Sequence, residues 1–319
     1  MYQTPERKYW KGRVSRDGLH FFQIIQSLDL THDIWSPARE RNYGFLGFIS
    51  DEGAIRAFLP GGTKEAPAEL RRGLAQLPVH FDFNKIGLVD CGNVICPADK
   101  LEKTGKLLSS KISSLIEADI FPLVLGAGHD TLFFQYLGVE DLLKNDERVG
   151  IIDFTSRLTL STEGSGLHTD NVLLQLMQKA QVEQSNLHYL PIGIRRKDNH
   201  ESYFERAREV AQSYILLEEV QDEFAEVESR MEQFVAETDK LVVCLSMESI
   251  SSAFAPGVSR RSAEGLDPAA IRQLLQKVAF MGSLATFSIV DYLPRHDSGI
   301  TRELGAGLIL QMIDGLIEK

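Results

Sequence analysis

A histidine and three acidic residues follow apolar, β-prone segments of the chain, at the points where strands would end. The segment VGIIDFTSRLTL illustrates the arrangement, because its apolar run ends on the carboxylate of Asp153. The corresponding residues after other apolar runs are His129, Glu248 and Asp291. Imidazole and carboxylate groups bind divalent cations and transfer protons. If the fold brings these residues together, they predict a metal site or an acid–base cluster.

Each of these residues also has a structural interpretation. His129 follows the sequence GAG, which suits any tight turn from a strand into a helix. Asp153 could cap a helix or a turn, and Glu248 could be an acid on a surface loop. The residues after Asp153 are unusual for a metal site, because Thr155 is a poor ligand and Arg157 has charge of the wrong sign. The segment therefore indicates a working site, a remodelled site or an ordinary strand end.

Eight short apolar segments predict β-strands, and segments of helical period lie between them. Strands are predicted at Tyr43–Ser50, Ile86–Cys91, Phe121–Leu125, Val149–Asp153, Leu187–Ile192, Tyr214–Leu217, Leu241–Ser246 and Ala285–Tyr292. Helices are predicted near Leu19–Leu28 and at Ala66–Leu77, Lys100–Ala118, Asp170–Gln181, Glu201–Gln212, Gln221–Glu237, Pro268–Phe280 and Thr301–Lys319. Asp267 before Pro268 predicts a helix start, because aspartate caps helices and proline favours the first helical position.

The alternation of strands and helices is typical of a parallel sheet with helices on both faces. Eight strands fit either an open, doubly wound sheet or a closed eightfold barrel, and the pattern alone does not separate the two. In both architectures the carboxyl ends of the strands line the site, so the candidate residues would converge. The length of 319 residues fits one large α/β domain, residues 41–319, after a lead-in segment, residues 1–40.

The composition excludes some partners. A formal net charge of −11 argues against nucleic-acid binding, which needs a basic face. The cysteines Cys91, Cys96 and Cys244 lack zinc-knuckle spacing and predict reduced thiols. The polar N-terminal segment predicts no signal peptide, and no apolar run is long enough to cross a membrane. We therefore expect a cytoplasmic protein with neither a nucleic-acid nor a membrane partner.

Several motifs from about Tyr43 onward resemble those of the arginase superfamily, and most closely its formimidoylglutamase branch. GFISDEGAIRAFLPGGTKEAPAELRRGL is similar to that family's opening strand, DEGV turn and following helix, with Ala66 in place of a glycine. PLVLGAGHD resembles its glycine-rich histidine turn, and SAFAPGVSRRSAEGLDPAAI resembles its A-P-G-V-S-A-P loop. FSIVDYLPRHDSGITRELGAGLI resembles the closing strand and helix. The resemblance implies a three-layer α/β/α sandwich with a mostly parallel eight-stranded sheet, and homo-oligomers are common in that family.

The resemblance also implies two Mn²⁺ ions bridged by a hydroxide that attacks a guanidinium or formimino carbon. Of the family's six ligand positions, two are kept as His129 and Asp153, and a third is conservatively replaced as Glu248. The three lost positions are occupied by Thr155, Arg157 and Ser246. The expected cofactor is therefore none, or one weakly held divalent cation at the three residual positions.

Two further residues are catalytic candidates by resemblance. Asp291 stands in place of the family's substrate-binding glutamate, and His168 lies near the position of the proton-shuttling histidine of arginases. We also expect the Arg157 guanidinium to pair with Asp153 or Glu248, and so to supply the positive charge that the metal ions supply in the family.

Three functions remain open. The first is a non-catalytic or altered family member that acts in ligand binding, regulation or assembly. The second is a hydrolase of linear amidines that uses one remaining metal ion, or metal ligands other than the residues named above. The third is a metal-free hydrolase with His129 or His168 as the base. A small guanidino or formimino compound is the expected ligand in each case.

Overall fold

Ten strands form one sheet in the computed structural model, which describes residues 1–31, 39–144, 147–183, 187–209 and 213–319. The strands are β1 Tyr2–Gln3, β2 Gln26–Ser27, β3 Arg41–Ile49, β4 Ile86–Ile95, β5 Ile120–Leu125, β6 Val149–Phe154, β7 His188–Ile194, β8 Ile215–Leu216, β9 Lys240–Ser246 and β10 Leu284–Val290. Their order is β1-β4-β3-β5-β10-β9-β6-β7-β8, and β2 also pairs with β4.

The eight strands from β3 to β10 pair in parallel throughout. They correspond to the eight predicted strands, so the parallel eight-stranded sheet is confirmed. The sheet runs from the β4 edge to β8 without closing, so the barrel alternative is wrong. The two extra strands, β1 and β2, have two residues each, which is too short for a periodic sequence signal.

Eleven α-helices lie in the described part of the chain. They are α1 Phe21–Ile24, α2 Glu52–Arg56, α3 Ala66–Ala75, α4 Leu101–Glu117, α5 Thr131–Glu140, α6 Val172–Glu183, α7 Glu201–Glu209, α8 Leu217–Asp222, α9 Phe224–Ala236, α10 Pro268–Phe280 and α11 Ile300–Glu318. None of these helices combines the length and the apolar character needed to cross a membrane.

The helices form a layer on each face of the sheet, and each layer encloses its own apolar core. Helices α3, α9, α10 and α11 contribute to one core, whereas α4, α5, α6 and α7 contribute to the other. Strand β6 serves both, because Ile152 and Phe154 face the first core and Val149 and Ile151 face the second. This is the predicted three-layer α/β/α sandwich.

Two helix predictions differ from the structure, and the end of a third is not tested. The helix near Leu19–Leu28 is reduced to α1, because Ile25 is extended and the next residues pair with β4 as β2. The helix predicted at Gln221–Glu237 is divided between α8 and α9, because the backbone of Glu223 leaves the helical region. The predicted end of α7 at residues 210–212 lies outside the described residues. The predicted start at Pro268 is confirmed, with the Asp267 side chain accepting a hydrogen bond from the Ala269 amide at 2.7 Å.

Candidate functional site

Four neighbouring strands at the centre of the sheet position the candidate residues. In the order β5, β10, β9 and β6, their carboxyl ends lead to His129, Asp291, Ser246 with Glu248, and Asp153. Parallel strands end at the same edge of a sheet, so the residues meet there. The structure therefore brings the candidate residues together at one edge of the sheet, as expected.

His129 lies between two aspartates. Its Nε2 is 2.8 Å from Oδ2 of Asp153, and its Nδ1 is 3.3 Å from Oδ2 of Asp291. Burial alone would lower the pKa of this imidazole, but the two carboxylates, Asp153 first, raise the pKa well above its ordinary value. The imidazolium form donates from both nitrogens and balances part of the buried negative charge.

Each aspartate accepts a second hydrogen bond at the same oxygen. The Tyr189 hydroxyl donates to Oδ2 of Asp153, and the Ser246 hydroxyl donates to Oδ2 of Asp291 at 2.6 Å. Asp153, Tyr189, His129, Asp291 and Ser246 therefore form one continuous network, called the His129 network below. Tyr189, on β7, is a member that the sequence did not reveal, because its apolar surroundings are those of any core tyrosine.

Asp291 has a positive backbone φ of 63°, which is uncommon for a residue other than glycine. Its amide donates to the carbonyl of Ala127 at 2.9 Å, which connects the end of β10 to the turn that carries His129. Such a conformation costs free energy and persists where the surroundings hold it in place. The surroundings therefore hold Asp291 in a conformation that places its carboxylate against His129.

The Glu248 side chain lies outside the His129 network, in a 3₁₀ turn after β9, although its amide donates to the Ser246 hydroxyl at 3.2 Å. Its Oε1 accepts from the Ser259 hydroxyl at 2.8 Å and from the Arg260 amide at 3.0 Å. The Arg260 guanidinium is 3.6 Å from Oε2 of Glu248 and also pairs with Asp170. Burial and the Asp291 charge raise the pKa of Glu248, whereas Arg260 opposes the rise.

The predicted pairing of Arg157 with Asp153 or Glu248 is wrong. Arg157 makes no ion pair within 4.0 Å of any carboxylate in the described part of the chain, and its Nε is buried without a hydrogen-bond partner. Burial, and then the nearby charge of Arg260, lower the pKa of Arg157. Arg260 provides the paired guanidinium instead. It stands in the loop that resembles A-P-G-V-S-A-P, at a position where that pattern has alanine, and this departure was the available signal.

The remaining candidates have mainly local partners. The Thr155 hydroxyl accepts from the Arg157 amide at 3.3 Å. The Nε2 of His168 is 2.7 Å from the carbonyl of Glu163, and its Nδ1 accepts from the Asp170 amide at 3.2 Å. Burial lowers the pKa of His168. Both of its ring nitrogens thus hold the loop that precedes α6, and the imidazole is not among the residues that line the site cavity.

The cavity at the site is small. Its volume is about 10 Å³, close to the space that one water molecule needs. Its charged lining residues are His129, Arg157, Asp170, Glu248, Arg260 and Asp291. A much larger cavity of about 600 Å³ lies between the N-terminal segment, α3 and α11, and no candidate residue lines it.

The donor set differs from the one that two Mn²⁺ ions have in the family that the sequence resembles. Manganese prefers oxygen ligands, and two divalent cations need several carboxylates. At the expected ligand positions the chain has a threonine, an arginine and a serine, and the arginine side chain lines the cavity. Among the described residues, one group of three metal-binding side chains has ligand atoms within 4.8 Å of one another, namely His129, Asp153 and Cys244. Glu248 is not a member of that group, and a single ion held by His129, Asp153 and Glu248 stays a prediction.

Comparison with known proteins places the fold in a family. The sequence model of the Arginase family matches residues 42–314. The formimidoylglutamase of Geobacillus thermodenitrificans is 32% identical over 304 residues, which are 94% of this chain and 92% of that protein. The structure of formimidoylglutamase from Bacillus subtilis has a TM-score of 0.82 at 16% identity, covering 96% of this chain and 94% of that one. Trypanosoma cruzi formiminoglutamase with Mn²⁺ has a TM-score of 0.76 at 21% identity, covering 88% and 95%. Since the family model and the relative each span most of its length, the chain belongs to the arginase family.

Proposed function

We propose that this chain is a divergent, formimidoylglutamase-like member of the arginase family in which the His129 network replaces the dinuclear manganese centre. It acts in ligand binding, regulation or assembly rather than as an efficient amidine hydrolase. The observation that carries the proposal is the position of His129, whose two ring nitrogens each face an aspartate oxygen. An imidazolium that donates from both nitrogens must lose a proton before it can bind a metal ion.

The charge balance of the site supports the same proposal. The family's centre, as the resemblance implies, surrounds two divalent cations with four carboxylates. At the corresponding positions this chain has two carboxylates, Asp153 and Glu248, together with the cations of His129 and Arg157. Arg260 pairs with Glu248 and adds a third positive charge. A dinuclear centre would place further positive charge beside these groups, at a high electrostatic cost in a poorly solvated site.

The expected ligand is a small compound that carries both a formimino or guanidino group and a carboxylate. The cavity lining favours such a compound, because it presents the acids Glu248 and Asp291 beside the guanidiniums of Arg157 and Arg260. A cavity of about 10 Å³ cannot hold the whole molecule, so binding requires the Arg260 loop to move. Assembly of several copies is a further proposal that rests on the family resemblance.

A metal-dependent amidine hydrolase is the second candidate. It is favoured by the names of the relatives and by Oδ1 of Asp153, which is buried without a hydrogen-bond partner. An unpartnered buried carboxylate oxygen is a position that a cation could occupy.

Metal analysis and hydrolysis assays on the same preparation separate the two candidates. Protein dialysed after exposure to Mn²⁺ is expected to retain far less than two equivalents, and to hydrolyse formiminoglutamate, arginine and agmatine no faster than a blank. Two tightly bound equivalents, with turnover that an Asp153→Asn change abolishes, would establish the hydrolase instead. The triple variant Thr155→His, Arg157→Asp, Ser246→Asp is the control, since it restores the expected ligand types. If it folds and still binds no Mn²⁺, the replaced positions have been misassigned.

A further inference from the structure

Cys244 lies directly beside Asp153 in the centre of the sheet. Strands β9 and β6 are neighbours, and Cys244 is the register partner of Asp153. The Cys244 Sγ, a His129 ring nitrogen and an Asp153 carboxylate oxygen lie within 4.8 Å of one another, and all three residues are buried. Cys244 is two residues before Ser246 on the same strand, so both side chains point to the same face.

Only one of the two oxygens of the Asp153 carboxylate has hydrogen-bond partners. Its Oδ2 accepts hydrogen bonds from His129 and Tyr189, whereas Oδ1 is buried without a partner. A buried acceptor without a partner is rare in folded proteins and calls for an explanation, such as an ion. The thiol of Cys244 stands next to this carboxylate, so a cation there would contact sulfur as well as oxygen.

We propose that His129, Asp153 and Cys244 bind a single thiolate-preferring divalent cation, such as Zn²⁺, in place of two Mn²⁺ ions. Thiolate, imidazole and carboxylate are the ligands that zinc takes in proteins, with water completing a four-coordinate site. Manganese prefers oxygen ligands and gains little from sulfur. On binding, Cys244 would lose its S–H proton and His129 its Nε2–H proton to solvent, and the freed lone pairs of sulfur and nitrogen would hold the cation.

The surroundings of the three residues suit this role. The Nδ1 of His129 faces Asp291, which is the carboxylate–histidine arrangement that orients metal-bound imidazoles. In the bound form the deprotonated Nε2 of His129 would face the cation instead of donating to Asp153. The Tyr189 hydroxyl fixes the second oxygen of Asp153. The inference rests on the proposed function, because two bound Mn²⁺ ions would use His129 and Asp153 as ligands.

An ordinary core cysteine is the alternative, and Cys91 provides the comparison. Cys91 is also buried, on strand β4, and it belongs to no group of metal-binding side chains in the described part of the chain. A buried thiol without such neighbours packs as a small apolar side chain. The Cys91→Ser variant is therefore the matched control for Cys244→Ser.

Cobalt titration of the metal-free full-length protein tests the site, because Co²⁺ bound to a thiolate has a charge-transfer band in the near ultraviolet. One equivalent of Co²⁺ is expected to produce the band in the wild type and in Cys91→Ser, and Zn²⁺ is expected to abolish it. Cys244→Ser is expected to lose the band and to bind Co²⁺ more than about tenfold more weakly. Loss of a residue that only supports a metal ligand already lowers affinity by about 10–100-fold, so loss of a ligand should lower it at least as much. No band in the wild type, or an undiminished band in Cys244→Ser, would overturn the proposal.

X-ray absorption of the zinc-loaded wild type gives a measurement that does not depend on a folded variant. One sulfur ligand at about 2.3 Å is expected, and a shell of nitrogen and oxygen alone contradicts the site. Manganese content separates this inference from the proposed function. Two tightly bound Mn²⁺ ions refute the proposed function whatever the cobalt spectrum shows. A protein that binds neither Mn²⁺ nor Co²⁺ refutes only the single-ion site.

Discussion

Replacing Arg157 with methionine is expected to stabilise the protein slightly. The Nε–H of Arg157 is buried without a partner, and an unmet buried donor costs about 1–3 kcal/mol. Burial, and then repulsion from Arg260, lower the pKa of Arg157. Methionine keeps the apolar stem that packs in the site. Because part of the Arg157 side chain reaches solvent, we expect a gain of about 1 kcal/mol in the free energy of unfolding, at the low end of that range.

The matched change, Arg260→Met, is expected to be strongly destabilising. It removes the cation that pairs with both Glu248 and Asp170. Breaking a buried ion pair typically costs 3–5 kcal/mol, and the Arg260 side chain is 20% exposed, so we expect about 3 kcal/mol. The changes in the free energy of unfolding caused by Arg157→Met and Arg260→Met should thus differ by about 4 kcal/mol, although both arginines line the same cavity.

The cost of Arg260→Met should also depend on pH. The pKa of Glu248 is already raised in the folded protein, and loss of Arg260 raises it further. When the pKa of an acid is higher in the folded than in the unfolded protein, protonation of that acid stabilises the fold. This stabilisation is complete below the unfolded pKa, about 4.3 for glutamate, and is lost as pH rises through the folded pKa. The variant should therefore lose more stability relative to wild type at pH 7 than at pH 5.

Urea unfolding at both pH values gives the free energies, with equal slopes as the check on two-state behaviour. A cost above about 2 kcal/mol for Arg157→Met would mean that Arg157 has a carboxylate partner in solution and that the reasoning is wrong. A loss below about 1 kcal/mol for Arg260→Met at pH 7 would show that its ion pairs contribute little.

Two further changes test buried charges. Asp130→Asn should stabilise the protein at pH 8 but not at pH 4. Both carboxylate oxygens of Asp130 are buried without partners, and burial, together with the Asp291 charge, raises the pKa of Asp130 to about 7. The free energy of unfolding of the wild type therefore falls, by at most about 4 kcal/mol, as pH rises from the unfolded pKa of this group to about 7. Equal effects at both pH values in urea unfolding would refute this. Arg71→Met should cost about 3–5 kcal/mol by thermal or urea unfolding, because Arg71 and Asp90 are 1% and 2% exposed and lie 2.8 Å apart. Its neighbour Arg72 is 47% exposed and serves as the control, with an expected change within about 0.5 kcal/mol.

The sequence predicts the central sheet well, because buried parallel strands are short apolar segments with polar residues at their carboxyl ends. Positions such as Asp153 and Asp291 could therefore be assigned to strand ends from the sequence. Strands β1 and β2 could not, because two residues are too few to show periodicity.

The contacts within the site were harder to predict than its residues. Arg157 is four residues from Asp153 in the sequence, yet it forms no ion pair within 4.0 Å among the described residues, whereas Arg260 reaches Glu248 from a loop. Side-chain direction after a strand end depends on the local turn, which charge patterns do not encode. Cys244 was classed among reduced thiols, and only the pairing of β9 with β6 places it beside Asp153.

The ends of the sheet limit how copies of the protein can associate. Strand β1 runs antiparallel along part of the outer side of β4, and β2 pairs with another part of the same side. At the opposite end β8 offers only two residues. Long, flat, unpaired edge strands are the surfaces through which sheets extend from one molecule to the next, and short or covered edges prevent this. Any assembly of this chain should therefore use its helical faces, and the joined subunits should keep separate sheets.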